Sequence, residues 1–135
     1  MSLSNKIVGD RDIKVTPETG IDWIPLTELK QLEEIATESF TIPAVIFKHS
    51  TTCGISRMAL KNFEKEYKVP GAAANLYILD LLSYRELSNE IANKFDVRHQ
   101  SPQILLIKDG KSVYDASHGD IDAETLAHQI TENPL

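Results

Sequence analysis

Apolar runs and helical stripes alternate along the chain. Ala44-Val45-Ile46-Phe47 and Leu76-Tyr77-Ile78-Leu79 are continuously apolar, the pattern of strands covered on both faces. They predict strands over residues 42–48, with Pro43 tolerable only near the start, and over Asn75–Asp80. A shorter strand is predicted over 21–26. Leu29, Leu32, Ile35 and Ala36 recur at helical spacing behind Thr27, a candidate cap, and predict a helix over 28–39. Ile55, Met58, Ala59, Phe63 and Tyr67 predict another over 53–67, ended by Val69-Pro70-Gly71, with Met58, Phe63 and Tyr67 as core residues.

Ser83-Tyr84-Arg85-Glu86 has the form of a reciprocal capping box, and Leu87, Ile91 and Phe95 carry the helix on, with Arg85 in its solvated first turn. After Ser101-Pro102 the residues become apolar and β-branched over Gln103–Lys108; Asp109-Gly110 then reads as a tight turn and 111–115 as its return strand. Residues 123–130, with Asp122 as cap and Leu126 and Ile130 on one face, predict a closing helix. Residues 1–20 are polar and turn-rich and read as an N-terminal extension; 21–135 read as one domain.

Composition narrows the function classes. Net charge is −6 with Lys and Arg scattered, which argues against a nucleic-acid partner. There is no apolar run of about eighteen residues, so no membrane span is expected, and a monomer in the cytoplasm is the expectation. The single cysteine, Cys53, excludes an internal disulfide or a multi-thiolate zinc site; His49, His99, His118 and His128 share no i, i+4 spacing, so no metal site is expected.

The order strand, helix, strand, helix, strand, helix, strand, strand, helix is that of an α/β thioredoxin-like fold, a mixed central sheet with helices on both faces. Cys53 falls between the second strand and its helix, so its sulfur is expected at a helix N-terminus, where backbone N–H groups favour a thiolate, the nucleophilic form. Ser56, one turn on, is a candidate donor to that sulfur and cannot close a disulfide. Thr52 belongs to the polar lead-in. Gly54 either serves the turn or leaves the backbone open to a substrate sulfur. Lys48 and His49 either raise the local positive potential or are solvated turn residues. A cis bond at Ser101-Pro102 is the fold's device for presenting a backbone to an incoming disulfide, so Ser101 and Pro102 are candidate substrate-presenting residues. Arg98 and His99, just ahead, are candidates to hold an anionic thiol.

From about Trp23 to Ile130 the chain resembles the monothiol bacilliredoxins, the YtxJ-like proteins of the bacillithiol system. The resemblance rests on Thr52-Cys53-Gly54-Ile55-Ser56, Tyr84-Arg85-Glu86-Leu87-Ser88, Val97-Arg98-His99-Gln100-Ser101-Pro102-Gln103 and Ala116-Ser117-His118. It implies removal of bacillithiol, a cysteine-containing glucosamine malate thiol, from mixed disulfides on cytosolic client proteins. Cys53 would then be the nucleophile, Ser56 the non-resolving partner, and Ser101 with Pro102 the presenting step; His118 matches a family position without an evident role. Where the family carries Pro, this chain has Gly54, as in the Cys-Gly-x-Ser of monothiol glutaredoxins. An iron–sulfur carrier therefore stands as an alternative, and a non-catalytic interaction module on the same scaffold as another.

Overall fold

The computed structural model describes residues 21–132, so the reading of 1–20 as an extension lies outside the described residues. In chain order the elements are β1 (Ile24–Pro25), α1 (Lys30–Glu38), β2 (Ala44–His49), α2 (Gly54–Glu66), β3 (Asn75–Asp80), α3 (Arg85–Phe95), β4 (Gln103–Lys108), β5 (Lys111–Ser117) and α4 (Ala123–Glu132). The sheet order is β1-β3-β2-β4-β5. β1, β3 and β2 are mutually parallel, and β4 and β5 run antiparallel to their neighbours. β1 is only two residues long because the pairing with β3 is confined to Ile24 and Pro25; Leu26 still donates its N–H to the Ile78 carbonyl at 2.9 Å.

Strand alternation explains why the apolar runs are continuous. Val45 and Phe47 face one core with Phe63 from α2, Tyr67 just past its end, and Leu126 and Ile130 from α4. Ala44 and Ile46 face the other with Leu32, Ile35, Leu87, Ile91 and Phe95, from α1 and α3. Both cores are closed by β4, whose residues are buried throughout. Trp23, Phe47, Phe63 and Tyr67 pack with neighbouring ring centroids 5.2 to 6.0 Å apart, in the range where aromatic pairs add to simple burial.

Three local expectations are overturned. Met58 is 65% exposed and Ile55 70%, because the inward stripe of α2 runs through Ser56, Leu60, Phe63 and Tyr67. Thr27 does not cap α1: the Gln31 carboxamide reaches back to accept the N–H groups of Thr27 and Glu28 at 2.8 and 2.9 Å, and the helix begins at Lys30. The capping box does not form either, because the Asp80 carboxylate takes the Ser83 hydroxyl at 3.0 Å and the Leu82 N–H at 3.2 Å, tying the turn to the end of β3. Asp122 does cap α4, accepting the Thr125 N–H and hydroxyl at 3.1 and 2.6 Å, and these bonds hold its carboxyl below the usual range.

Candidate functional site

β2 and β3 end at the same edge of the sheet, and β4 begins there, with Lys48 opposite Gln103 and His49 opposite Asp80. Cys53 is the N-cap of α2 in an extended conformation, φ −102° and ψ 122°. Its N–H donates to the Ser50 carbonyl at 3.2 Å, and its carbonyl accepts the Arg57 N–H at 3.0 Å. The side chain is half-buried, and its sulfur makes no capping bond. A nucleophile so placed has access to solvent on one side and the unpaired N–H groups of the first helical turn beside it.

Gly54 does not adopt a left-handed backbone, and an added Cβ would meet only the Arg57 guanidinium at 3.9 Å. Turn geometry therefore does not demand glycine here; what glycine leaves is uncovered backbone beside the sulfur. Thr52 is exposed in the lead-in. Sequence reasoning missed Arg57. Its guanidinium folds back to donate to the Thr51 carbonyl at 3.2 Å, setting a positive charge against the turn that carries Cys53. Its position four residues after the cysteine, one helical turn, was the available signal.

Lys48 and His49 are not turn residues. They close β2, and alternation sends them to opposite faces. His49 points toward α2, where its Nδ1 lies 2.8 Å from the Ser56 hydroxyl, and both side chains are buried. Burial pushes the His49 imidazole down, and Arg57 adds to this, against the opposing pull of Asp80 and Glu64. Ser56 also accepts the Ser50 N–H at 3.0 Å. The expected bond from Ser56 to the Cys53 sulfur is thus replaced by a link that ties the 50–53 turn to α2, because buried His49 and Ser50 N–H need the hydroxyl more than an accessible sulfur does. Ser56→Ala is expected to lower stability by about 1 to 3 kcal/mol, the cost of orphaning buried polar groups, as read from the urea midpoint.

Lys48 points to the α3 side and is 0% exposed. Its Nζ lies 3.3 Å from the Ser88 carbonyl and 3.2 Å from His99 Nδ1, and the Ser88 hydroxyl lies 3.3 Å from the same nitrogen. Burial pushes the Lys48 ammonium down to about 8. The His99 imidazole is also pushed down, by burial and then by the charges of Lys48 and Arg85.

The Ser101–Pro102 peptide is cis, as its position before the hairpin predicts. The buried Gln103 side chain braces the loop leading to it, donating to the Arg98 carbonyl at 2.9 Å and accepting the Gln100 N–H at 3.4 Å. His118 adopts a left-handed backbone, φ 54°, and its N–H donates to the Pro102 carbonyl at 3.0 Å, so its contact with the site is made by the main chain. The structure therefore joins Ser56 and His49, with Cys53 linked to them only through the Ser50 backbone, and brings Lys48, Ser88 and His99 into a second group, with the prolyl loop reaching the same end of the sheet. Among the described residues no group of three or more His, Cys, Asp or Glu side chains is placed to hold a metal ion, and no helix is long and apolar enough to cross a membrane.

Comparison with known proteins gives the family and the fold. Residues 24–126 match the family described as Monothiol bacilliredoxin BrxC. Among solved structures, a thioredoxin-fold protein provisionally described as an oxidoreductase is 34% identical, with a TM-score of 0.67 over 79% of this chain and 91% of its own. The thioredoxin of Malassezia sympodialis (21% identical, TM-score 0.62, covering 82% of this chain and 90% of its own) shares the fold. So does that of Schistosoma mansoni (19% identical, TM-score 0.57, covering 82% and 94%).

Proposed function

Because the chain belongs to the monothiol bacilliredoxin family and has a thioredoxin fold, both of which mark a redox protein, we propose that it removes bacillithiol, or a thiol of like chemistry, from mixed disulfides on cytosolic client proteins, acting as a monomer. The observation that carries this reading is the half-exposed Cys53 at the N-cap of α2, with Arg57 folded over its turn and the cis-prolyl loop at the same sheet edge.

The exchange needs no external oxidant. The Cys53 thiolate attacks the bacillithiol sulfur of the mixed disulfide; a new sulfur–sulfur bond forms there, the old bond to the client sulfur breaks, and the client leaves as a thiolate that takes a proton from water. A second bacillithiol thiolate then attacks the bacillithiol sulfur held on Cys53, releasing oxidised bacillithiol and restoring the Cys53 thiolate. Ser56 cannot act as a resolving group, and its hydroxyl is already engaged by His49 and Ser50. Ser101 presents its backbone beside the prolyl step, and Arg98 and His99 meet the polar part of the thiol.

The test offers one client protein as its bacillithiol, glutathione or 2-mercaptoethanol mixed disulfide. Release of client thiol well above the uncatalysed rate, fastest with bacillithiol, is the expected result. Release from none of the three above background would contradict it.

A further inference from the structure

A lysine buried to 0% exposure is costly, and Lys48 is not explained by exchange at Cys53 alone. An ammonium has only donors, so below the titration of Lys48 the nitrogen it meets on His99 must be an acceptor. Lys48 Nζ is 3.2 Å from His99 Nδ1, which fixes the neutral ring with its proton on Nε2. An imidazolium would set an N–H against the ammonium at that distance, and the downward push on His99 by burial, Lys48 and Arg85 has the same sense. Although its Nδ1 edge turns inward, His99 is exposed as a residue.

The charges that act on it are those of Lys48 from β2 and Arg85 from α3, the Ser88 hydroxyl lies beside it, and the exposed Arg98 precedes it on the same loop. The loop is held from two sides, by Lys48 at His99 and by Gln103 at Arg98 and Gln100. In a chain of net charge −6, a donor edge of this sign is a local exception that fits an anionic ligand.

We infer that Lys48 is a positioning residue: through Nδ1 it holds His99 as a neutral Nε2–H donor which, with Arg98 and Arg85, recognises a carboxylate of the small thiol carried by the mixed disulfide. This rests on the exchange reading for its ligand, but its first test does not need turnover. Long-range proton–nitrogen NMR of the histidine rings in the free protein is expected to show His99 protonated on Nε2 and neutral to below its ordinary value of about 6.5. In Lys48→Met, which replaces the lysine by an apolar chain of similar length, that value is expected to rise as the Lys48 charge is lost, while burial and Arg85 still hold it below the ordinary value. A wild-type His99 that carries its proton on Nδ1, or becomes an imidazolium near 6.5, overturns the inference whether or not the variant folds.

The second arm adds S-methyl bacillithiol, which keeps the malate carboxylates but has no reactive sulfur, and its dimethyl ester. Shifts at Arg98 and His99 with the acid, binding roughly tenfold weaker for the ester, and a similar loss in Lys48→Met are expected, the weight of one charge-assisted hydrogen bond. Equal binding of acid and ester, or binding of neither by a protein that still releases bacillithiol from clients, overturns the inference while leaving the exchange reading intact. Absence of release in the exchange assay strikes that reading instead.

Discussion

Lys48→Met is expected to stabilise the protein at pH 7 by about 2 kcal/mol and to remove a rise in stability that the wild type shows in alkali. The folded protein gives up the Lys48 proton at about 8, against 10.5 for the unconstrained side chain. Below both values the lysine is charged in both states, and the penalty of burying it is fully present, roughly 3 kcal/mol for a shift of this size. Between pH 8 and 10.5 the unfolded chain binds more protons than the folded one, so stability rises with pH through that window as the penalty is relieved. Methionine removes the penalty at every pH but takes the ammonium from the Ser88 carbonyl and leaves His99 Nδ1 with only the Ser88 hydroxyl, which offsets about 1 kcal/mol. Tyr67, buried and pushed up to about 12, acts in the opposite sense in alkali, so the quantity to measure is the difference between the wild-type and Lys48→Met urea midpoints across pH. A variant less stable than wild type at pH 7 would show that the lysine holds the loop at a net structural gain. A more stable one would show a group retained at a cost in stability, the usual mark of a functional residue.

The second large effect is on rate. Cys53→Ser is expected to bring bacillithiol release down to the uncatalysed level, a loss of at least about a thousandfold, since a serine hydroxyl with no base to activate it is not a competent nucleophile. No second thiol in the chain can substitute. Because Cys53 is half-buried and its sulfur makes no capping bond, the same substitution is expected to leave stability unchanged or raise it by up to about 1 kcal/mol, since serine can cap α2. Loss of rate with a urea midpoint that does not fall separates chemistry from folding. Substantial release by Cys53→Ser would move the site elsewhere.

Much of the fold is legible in the sequence because burial on both sheet faces leaves an unbroken apolar signature. Asn75–Asp80 and Gln103–Lys108 stand where their runs predict them. The cysteine's place at a helix start and the cis bond before the hairpin are legible for a related reason: each depends on local order along the chain. What the sequence hides is competition between partners. Ser83 has the spacing of a cap, yet Asp80, at the end of a strand, claims its hydroxyl first. Ser56 lies one turn from the sulfur, yet a buried imidazole and a backbone N–H claim it. Lys48, following four apolar residues, reads as the start of a polar turn; only the assembled α3 and prolyl loop supply the acceptors that let it stay inside. Met58 shows a different failure, a stripe read one position out of phase, since Ser56 rather than Ile55 faces inward.

The central claim is that Cys53 takes the small thiol, and not the client, onto its own sulfur. Intact mass spectrometry after one equivalent of a bacillithiol-modified client, with no other reductant present, tests this directly. The account predicts this chain carrying a single bacillithiol on Cys53 and the client recovered as free thiol. A chain covalently joined to the client, or left unmodified while the client keeps its bacillithiol, would contradict it.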